Sequence, residues 1–196
     1  MANPVPTYRQ MWPIYASFWD AMGPAQGRAG EIARAAKKLF LTKKRYVGVE
    51  QATGVPWFMV AALHWRESSQ NWQKQLAQGW PLNSKSRWIP YTGPFDTWEE
   101  SAYDALVKQK RYDKVIEWRL EKIIYYCERW NGWGYWQYHG KMPSPFVWGA
   151  STIQKRGKYV ADGSFDPSVW DTQIGTAILM SAIADFDKTV KFVRED

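Results

Sequence analysis

Most of the chain carries apolar residues at the spacing of one helical face. Four segments show this spacing, with apolar positions recurring every three or four residues: 7–21, 26–46, 113–130 and 166–181. Gly23-Pro24 ends the first of them, and Asp166-Pro167 is typical of the start of the last. Residues 87–91 and 140–166 leave room for at most a small β-hairpin. The pattern therefore predicts a mainly-α fold.

One further segment departs from this amphipathic pattern because it has no polar face. Every residue from Trp57 to Leu63 is apolar, and Pro56 before it suits the first helical position. Thr53-Gly54 is suited to the turn that precedes such a helix. A helix without a solvated side belongs in the core. We therefore expect a buried central helix that starts near residue 56.

Polar residues return at the end of this segment, and one of them, Glu67, is acidic. A helix macrodipole is negative at its C-terminus, and Trp65 and Trp72 are close enough in sequence to exclude water. Both effects disfavour an ionised carboxylate. A carboxylic acid that stays protonated near neutral pH can donate its proton to a glycosidic oxygen. The alternative is a solvated pair of Arg66 and Glu67 that closes a structural helix.

Two later segments bear on the chemistry. Residues 71–94 lack a helical pattern, and loops of such length inside compact domains are usually functional. After them, Thr97-Trp-Glu-Glu100 has the form of a capping box, which gives Asp96, Glu99 and Glu100 structural roles near a helix start. An aromatic loop is expected over residues 133–139, after a helix that ends at Asn131-Gly132.

Composition narrows the class of partner. Fourteen tryptophans among 196 residues exceed the needs of a core, and indoles pack well on the C–H faces of sugar rings. The net charge of +7 favours an anionic partner. Single-strand nucleic-acid binders interleave aromatic with basic residues, whereas residues 130–138 contain no lysine or arginine. We therefore expect a carbohydrate partner and no nucleic acid.

Few residues are suited to metals or disulfides. His64 and His139 lie far apart in sequence without an acidic cluster, and we interpret both as packed or surface residues. The one cysteine, Cys127, is expected in the core, and it excludes a disulfide within the chain. We expect no cofactor and no metal. One domain is expected over residues 1–196, with the helices of residues 1–46 packed on it.

The order of three motifs resembles the lysozyme-like superfamily. The motifs are Arg66-Glu67-Ser68-Ser69, Gly93-Pro94-Phe95-Asp96-Thr97-Trp98 and Trp130-Asn131-Gly132-Trp133-Gly134-Tyr135. The chain is most similar to phage endolysins related to goose-type lysozymes and lytic transglycosylases, over roughly residues 45–180. It departs from them in lacking the Gly-Leu-Met-Gln signature of the transglycosylases. Arg129-Trp130-Asn131 stands where those families carry Ala-Tyr-Asn.

The resemblance implies a lysozyme-like helical domain in which Glu67 is the general acid. It also implies substrate contacts from residues near the three motifs: Ser68, Ser69, Trp72, Phe95, Thr97, Asn131, Tyr135 and Tyr138. The implied activity is cleavage of the β-1,4 bond between N-acetylmuramic acid and N-acetylglucosamine in peptidoglycan. A lytic transglycosylase using the same Glu67 is one alternative, and a non-catalytic domain that binds wall carbohydrate is another. Chitinase activity and single-strand nucleic-acid binding are further rivals.

The expected cellular location follows from the N-terminal sequence and from the same resemblance. The N-terminus has neither the basic region nor the apolar run of an export signal, so we expect synthesis in the cytoplasm, that of the host if the gene is phage-borne. The protein would then act on peptidoglycan in the periplasm or envelope. We expect a monomer, and its charge favours weak association with an anionic wall or membrane surface.

Overall fold

The computed structural model describes residues 2–87 and 89–195. The fold is mainly helical, which confirms the predicted fold class. The helices are α1 (Tyr8–Ala21), α2 (Ala29–Leu41), α3 (Lys43–Thr53), α4 (Trp57–Ser68), α5 (Trp98–Tyr103), α6 (Leu120–Asn131), α7 (Gly134–Tyr138), α8 (Pro145–Trp148) and α9 (Thr176–Phe186). A π-helical segment, Asp104–Gln109, follows α5, and a 3-10 turn covers Tyr112–Lys114. The small predicted hairpin is present as β1 (Lys158–Ala161) paired antiparallel with β2 (Ser164–Asp166).

The chain divides into two compact units. One unit, called here the terminal unit, comprises the chain up to Lys37 and from Arg119 onward. The other, the central unit, is Lys38–Trp118. The assignment of residues 1–196 to one catalytic domain stays a prediction. In the part of the chain that the structure describes, no helix combines the length and the apolar character needed to cross a bilayer.

The central unit is built around α4, and the predicted buried helix is confirmed. All residues of α4 from Trp57 to His64 are buried. Gly54 ends α3 with a φ of 74°, and its left-handed backbone turns the chain into α4. Helix α3 packs against both α4 and α5. Because α4 has no exposed face, the rest of this unit is arranged to cover it.

The terminal unit is built around α6, which packs against α1, α8 and α9. Cys127 on α6 is fully buried, as expected for a core residue. Two glycines bring α8 and the start of α9 into backbone contact, with the amide of Gly175 donating to the carbonyl of Gly149 at 2.8 Å. A Cβ atom at position 175 would lie 2.4 Å from the carbonyl oxygen of Val147. Only glycine fits at this contact.

One predicted helix is in fact two. The segment 26–46 breaks at Thr42, where α2 ends and α3 begins. The Thr42 hydroxyl donates to the carbonyl of Leu39 at 3.1 Å, and its backbone leaves the helical region with φ −108° and ψ 14°. Threonine side chains that bond to nearby backbone groups compete with helix continuation. The apolar spacing continues across Thr42, so the sequence pattern did not indicate the break.

Two other predicted helix starts were wrong. Helix α6 begins at Leu120 rather than near residue 113, and Ile116, which had fitted the apolar stripe, is fully exposed. Helix α9 begins at Thr176 rather than at Asp166. The Asp166 carboxylate accepts hydrogen bonds from the amide and hydroxyl of Ser168 at 2.8 and 2.6 Å, so it closes a turn instead of capping a helix. The expected aromatic loop contains the short helix α7.

Candidate functional site

The central unit places Glu67 one residue before the end of α4. Its side chain is half-buried, whereas Arg66 and the residues from Trp57 to His64 are buried. The chain then turns sharply, because Ser69 and Gln70 are both left-handed, with φ of 53° and 63°. The amide of Ser69 donates to the carbonyl of Trp65 at 2.8 Å, which closes the helix. The acid therefore marks the point where a core helix reaches the surface.

Left-handed residues other than glycine are concentrated around this helix end. Besides Ser69 and Gln70, Gln78 has a φ of 68°. Each such residue costs about 1–3 kcal/mol of backbone strain and persists only where its surroundings hold it. Strained backbone of this kind clusters at active sites and ligand clamps. The end of α4 therefore carries strained backbone, as Arg111 does elsewhere in the central unit, and it is a candidate functional site.

The strained segment at Gln78 packs directly on the backbone of Glu67. Gly79 follows it with a φ of 57°, and a Cβ atom at Gly79 would lie 3.0 Å from the Glu67 carbonyl oxygen. Trp80, the next residue, is half-buried. The loop after α4 thus returns to the acid, and glycine permits the close approach. Glu67 is held between its own helix end and this returning loop.

Beneath the site, His64 is completely buried and its tautomer follows from its partners. Nε2 lies 3.2 Å from the backbone carbonyl of Asn71, which can only accept, so Nε2 carries the proton. Nδ1 then accepts from the Tyr46 hydroxyl at 3.0 Å. Burial lowers the pKa of His64 to about 4. His64 is therefore neutral at pH 7 and is a packed residue, as interpreted from the sequence.

The strained Gln70 is held by this same network. Its Nε2 donates to the hydroxyl of Thr42 at 2.7 Å and to that of Tyr46 at 3.2 Å. Thr42, where α2 ends and α3 begins, therefore also fixes the turn after Glu67. A hydrogen-bonded chain from Thr42 through Gln70 and Tyr46 to His64 supports the site from inside the unit.

Trp72, a predicted substrate contact, is part of an aromatic cluster under the site. Its ring packs against His64 and Trp98, with centroid distances of 4.7 and 4.8 Å. The Arg45 guanidinium lies 3.8 Å from the Trp72 centroid, and Arg45 also makes a two-bond ion pair with Glu99 at 2.7 and 3.0 Å. The packing of Trp72 is thus evident, and its contact with substrate stays a prediction.

The long loop after α4 is ordered by one buried side-chain amide, that of Gln75. Its Nε2 donates to the carbonyls of Pro81 and Ser84 at 3.1 and 2.8 Å, and its Oε1 accepts from the Thr92 hydroxyl at 2.8 Å. Gly93 is close because a Cβ atom there would lie 2.6 Å from Nε2. A single amide therefore fixes three points of the loop, so its described residues, 71–87 and 89–94, form a defined surface without helix or strand.

The other predicted residues of the central unit have structural partners. The Ser68 hydroxyl donates to the carbonyl of His64 at 3.4 Å, and Ser69 is exposed. The Phe95 amide donates to the carbonyl of Leu82 at 2.9 Å, and the ring is half-buried. The Thr97 hydroxyl accepts from the Glu100 amide at 3.2 Å, which confirms the capping box. Substrate contacts by these four residues stay predictions.

Three predicted residues belong to the terminal unit. Asn131, the last residue of α6, is exposed, and so is Tyr138. Tyr135 is buried, and its hydroxyl accepts from the backbone amide of Tyr159 at 3.1 Å. Glu67, Ser68, Ser69, Trp72, Phe95 and Thr97 therefore all belong to the central unit. The other three, Asn131, Tyr135 and Tyr138, belong to the terminal unit.

The sequence analysis missed a second unusual acid, Glu128 on α6. It is 5% exposed, and burial raises its pKa to about 8. Trp133, Trp136 and Trp148 are among the residues that line a small cavity with it. The sequence signal that could have indicated a buried Glu128 was its position, because it follows Cys127 on the apolar side of α6. Its burial makes it a proton-binding group of the core.

Comparisons with known proteins give no match: no family model, no curated protein and no solved structure is significantly similar to the chain. The resemblance to lysozyme-like proteins therefore depends on the three sequence motifs alone.

Proposed function

We propose that the protein is a peptidoglycan-degrading glycosidase, a muramidase, in which Glu67 is the general acid. The observation that carries the proposal is the position of Glu67. It is half-buried at the end of a helix that is otherwise in the core, next to strained residues and against the returning loop at Gly79. Such a position partly excludes water from the carboxyl group and fixes the backbone that carries it, and both favour a proton donor.

In the proposed reaction, Glu67 transfers its proton to the oxygen between the two sugars as the bond from that oxygen to C1 breaks. The anomeric carbon then bears positive charge shared with the ring oxygen. If water attacks C1, the product is a reducing sugar, and the water returns a proton to Glu67. If the C6 hydroxyl of the same muramic acid attacks, its proton returns to Glu67, the product is a 1,6-anhydro sugar and no water is consumed. We favour hydrolysis.

A second carboxylate is the usual partner in glycosidases, about 5 Å away for retention and about 6.5–9.5 Å away for inversion. Several other acids of the central unit have partners of their own. Glu99 is paired with Arg45, Glu100 accepts from the amides of Asp96 and Thr97, and Asp104 accepts from Gln109. The proposal therefore assigns the second role to a positioned water or to the N-acetyl group of the substrate.

Two variants test the assignment of the acid. Glu67→Gln keeps the shape of the side chain and removes the transferable proton, so we expect loss of at least about a thousandfold in the rate of wall lysis. Glu100→Gln is the matched control, because glutamine also serves in a capping box, and it should lyse walls at the rate of the parent protein. Turbidity of purified sacculi measures the rate, and co-sedimentation measures binding. Unchanged lysis by Glu67→Gln would remove Glu67 from the mechanism.

A non-catalytic wall-binding domain is the second candidate function. It is favoured by Tyr138, which is 63% exposed at the end of α7, and by the half-buried Trp136 on the same short helix. Exposed rings on one element suit the flat faces of sugars. This candidate predicts sedimentation with sacculi by both the parent protein and Glu67→Gln, without release of soluble fragments by either.

A further inference from the structure

The loop that follows the proposed acid contains cations and no anions. From Ser68 to Phe95 the chain has Lys74, Lys85 and Arg87 but neither aspartate nor glutamate, although the whole chain has 19 acids among 196 residues. The loop after Glu67 therefore carries only positively charged side chains. A partner that binds here gains from carrying negative charge.

Two of these cations are held over aromatic rings at the surface. The Arg87 guanidinium lies 5.6 Å from the ring centroid of Trp80, and the Lys85 ammonium lies 5.8 Å from that of Tyr91. Lys85, Arg87 and Tyr91 are exposed, and within residues 2–87 and 89–195 neither cation forms an ion pair with an acid. We call Trp80, Lys85, Arg87 and Tyr91 the basic aromatic surface.

The backbone that carries this surface is fixed from both sides. The Trp80 carbonyl accepts from the amide of Gln75 at 2.7 Å, and the amide of Ser86 donates to the carbonyl of Thr92 at 2.8 Å. The buried side-chain amide of Gln75 also donates to the carbonyl of Ser84, the residue before Lys85. The cations therefore project from an ordered scaffold. Trp80 directly follows Gly79, which packs on the backbone of Glu67.

We propose that the basic aromatic surface binds the carboxylates of the peptide stems on the glycan strand, so that the protein prefers peptide-substituted strands to bare glycan. This inference rests on the proposed function. Stem peptides carry several carboxylates on each muramic acid, whereas strands stripped of peptide keep only the lactyl carboxylate of each muramic acid and chitin oligomers carry none. Rings that support the cations also suit the apolar faces of the sugars. Nucleic-acid binding is less favoured, because it uses many cations that follow the backbone.

The experiment compares two substrates and three proteins. The substrates are soluble glycan strands with their peptides and the same strands stripped by an amidase. The proteins are the parent, Lys85→Gln with Arg87→Gln, and a control in which Lys155 and Lys191, two exposed lysines of the terminal unit, are changed to glutamine. The parent and the control should cleave peptide-bearing strands about tenfold faster than stripped ones, by kcat/KM, a factor that corresponds to about 1.4 kcal/mol. In the Lys85 and Arg87 variant this ratio should fall towards one.

Salt gives a second readout. The preference of the parent for peptide-bearing strands should decrease as NaCl is raised from 0.05 to about 0.5 M, because added salt screens the attraction between exposed charges. The variant should show little change in its ratio over the same range. Unfolding temperatures of the three proteins should agree, since the substituted side chains are exposed.

Each other outcome has a distinct meaning. If the parent cleaves neither substrate, the proposed function fails. If it cleaves both at equal rates, the inference is overturned while the proposed function stands. An equal loss on both substrates in the variant would assign Lys85 and Arg87 to loop structure and would also overturn the inference. The same holds if the variant loses affinity for a single-stranded oligonucleotide but keeps the parent's preference for peptide-bearing strands.

Discussion

The buried acid of the terminal unit leads to a prediction about stability. Glu128 binds its proton in the folded state with a pKa of about 8, compared with an ordinary value of 4.5 in the unfolded chain. Between these values the folded protein holds a proton that the unfolded chain has released. Because folding then requires proton uptake, the contribution of Glu128 to stability is highest below pH 4.5 and falls as the pH rises towards 8. The change Glu128→Gln, which stays neutral, removes this dependence.

The size of the effect follows from the difference between the two pKa values. At about 1.4 kcal/mol for each unit of pKa, the difference corresponds to about 5 kcal/mol between pH 4.5 and pH 8. We therefore expect Glu128→Gln to raise the free energy of unfolding by several kcal/mol at pH 8 and by close to zero at pH 4.5. Urea unfolding at a series of pH values measures the difference between the two proteins.

Glu121, another buried glutamate of α6, provides the contrast. It is 1% exposed, but its carboxylate lies 2.5 Å from Nε of Arg194 in an ion pair. Glu121→Gln removes the charge from a paired site, so it should destabilise the protein by about 1–3 kcal/mol at pH 8. Opposite signs for the two substitutions are expected. If Glu128→Gln showed the same pH dependence as the parent, or destabilised the protein at pH 8, the account of Glu128 would be refuted.

Three further predictions concern packing and support of the site. Gly175→Ala should destabilise by about 1–3 kcal/mol in thermal unfolding, because its Cβ atom would meet backbone at 2.4 Å, whereas Gly48→Ala in α3, with open space, should stabilise by about 0.5–1 kcal/mol. Gln75→Leu should speed proteolysis of the loop after α4, and equal cleavage rates would contradict its role. Because the pKa of His64 is lowered to about 4, the folded protein should lose about 3 kcal/mol of stability as the pH falls from 6.5 to 4. His64→Phe should reduce that loss in acid unfolding.

The central helix could be predicted from sequence because its signals agree. Seven consecutive apolar residues after Gly54 and Pro56 exclude a solvated face, and α4 is buried as expected. The start of the last helix could not be located, because Asp166-Pro167 has the residues of a helix cap while its carboxylate bonds Ser168 instead. Both arrangements use the same short acidic side chain, and only the tertiary surroundings decide between them.

The surroundings of Glu67 were less accessible to sequence reasoning. The importance of Gln75 depends on hydrogen bonds to Pro81, Ser84 and Thr92, and no periodic pattern marks such contacts across an irregular loop. The left-handed backbone of Gln70 carries no signal either, because the residues that hold it come from α3 and the preceding break. The sequence therefore indicates the acid, and the structure supplies what holds it in place.

The central claim is that Glu67 donates the proton that breaks a glycan strand, and its most direct test is mass spectrometry of the soluble fragments released from purified sacculi. The account predicts disaccharide peptides with reducing N-acetylmuramic acid ends from the parent protein, and none from Glu67→Gln present in equal amount. Fragments ending in 1,6-anhydro muramic acid would keep Glu67 as the acid and change the second step. The same fragments from both proteins, or none from the parent, would contradict the account.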